Sequence, residues 1–172
     1  MNSLFLSLLL LGGTISSAPF SFDPSTLDPG FLLRLAREGQ VAIVQEDKAG
    51  NLKLVTAAII VQAPVREVWR VVTGFDRYPE FMPQVERTRV ERMDEKEAVV
   101  DFRLKFHFSV ISKTVEYTLR YSLFPEERIA WRLVKGDLKS SVGAWHFLPV
   151  EGDRSSMLFY SVLSDLKSMG FL

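Results

Sequence analysis

Hydrophobic positions along this chain switch between two periods. From Gln84 onward they alternate. In the stretch 99–111, Val100, Phe102, Leu104, Phe106, Phe108 and Val110 fall on one side, and Asp101, Arg103, Lys105, His107 and Ser109 on the other. Val115, Tyr117, Leu119, Tyr121 and Leu123 repeat the pattern, and shorter runs follow at 128–135, 141–149 and 156–163. A period of two sends successive side chains to opposite faces of a strand, so these runs predict an antiparallel sheet with one buried and one wet face. Before Gln84 two stretches are helical. Phe31, Leu32, Leu35 and Ala36 share a face after Asp28-Pro29, which reads as an N-cap followed by a first-turn proline, and Gly39 is the stop. Val65, Val68, Trp69 and Val72 oppose Arg66, Glu67 and Arg70 between Pro64 and Gly74. Between these helices VAIVQED and LKLVTAAIIVQA flank Gly50-Asn51 and read as a hairpin.

The second helix runs into FDRYPEFMP (75–83), too apolar for an ordinary surface loop. Pro79 and Pro83 are expected to push Tyr78 and Met82 into extended geometry, leaving room for one short turn between them. The charged run 86–97 reads as a solvated strand–turn–strand edge. An apolar sheet face must be covered, and one helix of two or three turns cannot cover six or seven strands. Either the sheet curls around a cavity or a further helix lies across it.

Composition narrows the function. At 172 residues the chain fits one domain with a genuine core. Its 21 basic and 21 acidic residues balance, so no whole-chain field recruits nucleic acid or an anionic membrane. The absence of cysteine excludes disulfides, thiol nucleophiles and Cys-ligated zinc. Thirteen Phe, four Tyr and three Trp exceed what a small core needs, which fits a cavity lining or dense core packing. Residues 1–18 have the shape of a secretory signal: an apolar stretch from Leu4 to Leu11, then small residues ending at Ala18, too short for a comfortable span. The leader lacks Lys and Arg, and Pro19 follows the cleavage position. The expected organisation is a leader over 1–18, a linker over 19–28 and one domain over 29–172, exported and without a stable membrane span after processing.

Several local motifs meet a known family. Ala63, Pro64, Val68, Trp69, Asp76, Tyr78, Pro79, Phe81 and Pro83 resemble the start of START-like (helix-grip) domains, closest to the polyketide cyclase/dehydrase-like and ubiquinone-binding branch. Gly143, Trp145, Phe147 and Pro149 resemble the same family's Gly-x-Trp-x-Phe-x-Pro strand. The likeness covers roughly 52–165. It implies an α+β fold in which a curved antiparallel sheet, with short helices between its first strands, grips a long C-terminal helix around an apolar cavity for lipids, quinones, sterols or polyketides. Here the chain stops at Leu172, where that closing helix would begin. A truncated sequence, the helix 29–38 standing in as lid, or a second chain covering the groove would each account for this.

The chemistry is sparse. His107 lies on the polar side of its strand, and His146 faces away from Trp145 and Phe147. Metal-ligand spacings, a Gly-x-Ser-x-Gly elbow, GxGxxG and a P-loop are absent, and Ser164-Asp165-Leu166-Lys167 fits Ser-x-x-Lys in form alone. No cofactor or metal is expected. Tyr117, Tyr121, Arg132 and Tyr160 are the candidate polar groups inside. The expected cavity has Trp69, Tyr78, Phe81 and Met82 at a portal or plug. Its walls are Phe102, Leu104, Phe106, Phe108, Tyr117, Leu119 and Tyr121, then Trp131, Trp145, Phe147 and Tyr160. The favoured function is binding or transport of a hydrophobic small molecule. A cyclase/dehydratase-type enzyme, or a module whose open groove takes a partner helix or a second copy, are the alternatives.

Overall fold

The computed structural model describes Pro24 and residues 28–39, 41–46, 52–108 and 111–164. The expected leader, most of the linker, the Gly50-Asn51 turn, and residues 165–172, where a closing helix would begin, lie outside the described residues, as do the side chains of Phe31, Leu32, Leu35 and Phe108. The elements are α1 (Pro29–Glu38), β1 (Val41–Glu46), β2 (Leu52–Val61), α2 (Val65–Thr73), a 3₁₀ turn (Phe75–Arg77), α3 (Tyr78–Phe81), β3 (Val85–Met93), β4 (Glu97–Phe108), β5 (Ile111–Phe124), β6 (Arg128–Gly136), β7 (Ser141–Val150) and β8 (Ser155–Ser164).

All eight strands form one antiparallel sheet in the order β1-β2-β8-β7-β6-β5-β4-β3. Strands β3 to β8 follow chain order, as a meander does. The N-terminal hairpin joins beside the last strand, with Val55 opposite Val162 and Ile59 opposite Leu158. The sheet is curved and not closed, leaving β1 and β3 as edges. It has eight strands against the six or seven read from the pattern, because the N-terminal hairpin adds two to the six of the meander. The strand expected over 99–111 ends at Phe108, since pairing with β5 runs to Phe108 opposite Ile111 and the chain reverses there.

Parity sorts the core. Ala98, Val100, Phe102, Leu119, Tyr121, Leu123, Ile129, Trp131, Trp145, Phe147, Leu158 and Val162 meet on the inner face with Val65, Val68, Val72, Phe75 and Tyr78. Leu54, Ala58, Met157 and Phe159 point the other way and pack with Ala36. Helix α1 therefore lies on the outer face and is no lid for the inner one. Its start is held by Asp28, whose Oδ1 accepts from Gly30 N–H at 2.8 Å. Its end is clipped by Arg37, which donates to Glu151 at 2.9 Å on the β7–β8 turn. Hydrogen bonds from Arg37 and then Ser155 hold the Glu151 carboxyl below the usual carboxylate range. Helix α2 takes the inner side, where Val65, Val68 and Val72 are buried as their spacing predicts, and Gly74 caps it.

Close packing is tightest at Gly143 on β7. A Cβ there would overlap the Trp131 indole and lie 2.5 Å from the Ser161 carbonyl oxygen. The glycine of the Gly-x-Trp-x-Phe pattern is thus the floor under a tryptophan. Gly143→Ala should destabilise the fold by about 2 kcal/mol and shift the tryptophan emission. An unchanged denaturation midpoint would refute that packing.

Candidate functional site

The proline corner turns the chain from α2 onto β3. Met82 is extended, as Pro83 demands, at φ −104° and ψ 102°. Tyr78 departs from expectation: it is helical at φ −53° and ψ −37° in spite of Pro79. Two facts explain it. Pro79 sits in the first turn of α3, where its missing N–H leaves nothing unsatisfied. The Tyr78 ring is also buried, and its hydroxyl donates to the Val72 carbonyl oxygen at 2.6 Å, so tertiary contacts override the local bias.

Phe75 is 1% exposed and meets the Tyr121 ring at 4.5 Å. It plugs the core together with Tyr78. Phe81 touches Tyr78 at 5.5 Å between centroids yet is 39% exposed, and Met82 is half-buried. The corner is therefore a plug on one side and an apolar tip on the other.

From the plug an aromatic wall runs across the inner face. Tyr78 and Phe102 lie 6.1 Å apart, and Phe102 stacks on Tyr117 at 5.4 Å. Tyr121 meets Trp131 at 6.2 Å, Trp131 stacks on Tyr160 at 5.5 Å, and Tyr160 meets Trp145 at 4.4 Å. Trp69 reaches the wall edge-on at Phe147, 5.4 Å away. The structure thus brings together the sequence-predicted Trp69, Tyr78, Phe102, Leu119, Tyr121, Trp131, Trp145, Phe147 and Tyr160. Leu104 and Tyr117 join them as partly buried neighbours. Phe106 belongs to a satellite cluster with Val115 and Leu138, tied to the wall through Tyr117 and Leu133. Arg132 is corrected: it stands opposite Val142 and Arg120 on the outer face and is exposed, because its neighbour Trp131 takes the inner position. His107 is an exposed histidine whose Nδ1 pairs with the Ser112 hydroxyl at 2.8 Å. Leu133, Val85 and Val61, which complete the inner face, were within alternating runs but carried no aromatic signal to single them out.

All four tyrosines of the chain stand on this wall. Burial pushes the phenols of Tyr78, Tyr117, Tyr121 and Tyr160 well above their usual range, and a charge on Tyr160 would raise the other three further. Each therefore stays neutral and donates a hydrogen bond at ordinary pH. Tyr78 spends its proton on Val72. Among the described residues no group lies within hydrogen-bonding reach of the Tyr117 or Tyr121 hydroxyl. Tyr117, Leu104, Leu133 and Tyr160 are only partly buried, so the wall is open at this end, with Met82 on its rim. No group of three or more potential metal ligands occurs among the described residues.

This curved sheet with its inner helix is the START-like helix-grip fold. The chain belongs to the polyketide cyclase / dehydrase and lipid transport family, whose model matches residues 61–168. The ribosome association toxin RatA of Vibrio cholerae serotype O1 is 30% identical over 100 residues, covering 58% of this chain and 67% of that protein. Among solved structures, the Zhui aromatase/cyclase from Streptomyces sp. R1128 superposes with a TM-score of 0.56 at 20% identity, over 65% of this chain and 68% of that one. A STAR-related lipid transfer protein from Xanthomonas axonopodis gives 0.56 at 14% identity, over 74% of this chain and 77% of that one. At such identities the superpositions establish the fold alone.

Proposed function

We propose that the chain binds a hydrophobic small molecule carrying an oxygen acceptor, such as an isoprenoid quinone, a lipid or a polyketide-like ketone, on the inner face of its sheet. One observation carries this reading: the Tyr121 ring is 4% exposed, yet its hydroxyl has no partner among the described residues. A carbonyl or ester oxygen held against the aromatic wall would accept that proton, and the Tyr117 hydroxyl offers a second donor. The family membership and the fold shared with a lipid transfer protein support a greasy ligand. The cyclase reading has support too, because the Tyr117 and Tyr121 hydroxyls stand on one wall around Phe102. Phenols held this high donate without abstracting protons near neutral pH, which favours recognition over proton transfer.

The test is uptake of a fluorescent short-tailed quinone analogue, alongside native mass spectrometry of the purified chain. Tyr121→Phe removes only a hydroxyl that has no partner among the described residues. It should leave the denaturation midpoint within about 0.5 kcal/mol of wild type and weaken uptake about fivefold. A protein that carries no co-purifying small molecule and takes up no analogue would overturn the proposal.

A further inference from the structure

The outer face of the sheet has two halves. Over β1, β2 and β8 it carries α1. Over β3 to β6 no described helix covers it, and the register gathers cations there: Arg87 stands opposite Arg103, Arg120 opposite Arg132, and Thr118 lies between Asp101 and Lys135. The carboxylates of this surface are engaged. Glu86 and Glu116 accept from Arg103 at 2.7 and 3.2 Å, Glu97 pairs with Arg92 and Arg120, and Asp101 accepts from Thr118 at 2.6 Å. Arg87, Arg89, Lys105, Arg132 and Lys135 make no ion pair within 4.0 Å among the described residues, although Arg89 stands across from Asp101, and all but the half-buried Lys105 are exposed. Whole-chain neutrality therefore conceals a basic face. Composition averages over the surface, whereas strand alternation sorts it. Arginines placed directly across a strand pair repel; the glutamates offset Arg103 and Arg120, and Arg87 and Arg132 are left to face anions from outside.

The cations meet an apolar tip along one edge. Strand β3 leaves the proline corner directly, with Val85 N–H on the Met82 carbonyl oxygen at 3.0 Å, and Lys105 N–H reaches the Gln84 carbonyl oxygen at 2.8 Å. Phe81, Pro79 and Pro83 are exposed there, and Met82 and Leu104 mark the open end of the inner face.

Building on the ligand-binding reading above, we infer that this edge docks on an anionic lipid bilayer. Arg87, Arg89 and Lys105 lie on the head groups, and Phe81 enters the interfacial layer. That geometry sets the open end of the aromatic wall against the bilayer that holds a hydrophobic ligand. A nucleic acid would use the cations but would leave an exposed Phe flanked by prolines without a role. In a membrane-surface device the two features belong together.

Vesicle sedimentation tests it, using phosphatidylcholine alone and an equal mixture with phosphatidylglycerol. The chain should pellet with the mixed vesicles only, and salt should release it. Each basic group near such a surface is worth about fivefold in partitioning, so Arg87→Glu with Arg89→Glu should weaken binding at least about thirtyfold. Phe81→Ser should weaken it about fivefold. Both exposed sites leave the fold intact, checked by circular dichroism. Equal binding to both vesicle types, wild-type binding by the double variant, or preferential capture by random-sequence RNA would each overturn the docking surface. Uptake of the detergent-solubilised quinone analogue separates the two proposals. A chain that takes up analogue but ignores anionic vesicles overturns this one alone, and a chain that docks without taking up analogue overturns only the ligand reading.

Discussion

Above about pH 10 the protein is expected to unfold and release all its tyrosines to titration together, instead of titrating them one by one while folded. The unfolded chain ionises a phenol near 10. In the folded chain burial holds Tyr78, Tyr117, Tyr121 and Tyr160 above that value, and a charge on any of them would repel a second. The sign follows from proton counting. Above pH 10 the unfolded state binds fewer protons than the native one, so stability falls as pH rises. The contribution is complete below about 10 and disappears progressively beyond it. Each fully shifted phenol is worth about 1.4 kcal/mol per unit of pH. Tyr78 and Tyr121, both buried, supply most of it, and the partly buried Tyr117 and Tyr160 supply less. The loss is about 4 kcal/mol per pH unit, comparable with the whole stability of a small domain. Tyrosinate absorbance and loss of the far-ultraviolet dichroism should therefore rise at the same pH. A gradual absorbance rise centred near 10, with the dichroism intact, would show that the phenols are wet and the wall is not as described.

Phe75→Ala should destabilise the fold by about 4 kcal/mol, while Phe81→Ala, six residues on, changes stability by less than about 0.5 kcal/mol. Phe75 is 1% exposed and packs on Tyr78 and Tyr121, so truncation leaves a cavity in the inner core. Phe81 already stands largely in solvent. Chemical denaturation of both variants reads the difference directly. Equal effects would mean that the corner is not divided into plug and tip, and would remove the tip from the docking edge. The contrast also explains how one nine-residue stretch can be both anchored and apolar at its surface. Tyr78 and Phe75 hold it to the core, and the prolines that follow stiffen what protrudes.

Periodicity decided much of the fold in advance. Alternation of Val100, Phe102 and Leu104 against Asp101, Arg103 and Lys105 assigns faces within a strand because the backbone itself imposes a period of two. The helical spacing of Val65, Val68 and Val72 did the same for α2. Most of the aromatic wall was legible for this reason, since a strand that buries one face buries all of it. Three features were not legible. Tyr78 takes helical geometry against the bias before proline because its ring and hydroxyl gain more from the core than the backbone loses. Helix α1 reads as amphipathic and so must bury a face, but only the placement of β1 and β2 beside β8 sends it to the outer side and removes it as a lid. Arg132 faces out beside an inward tryptophan, and only the pairing of β5 with β6 sets it across from Arg120.

The chain's own order of residues determines which side chains share a face, because that depends on neighbours two to four positions apart. Which faces meet, which phenol keeps a spare proton and where neutral composition separates into a basic edge depend on contacts between residues as distant as Val55 and Val162. Those are settled only when the sheet curves and brings such distant residues into contact.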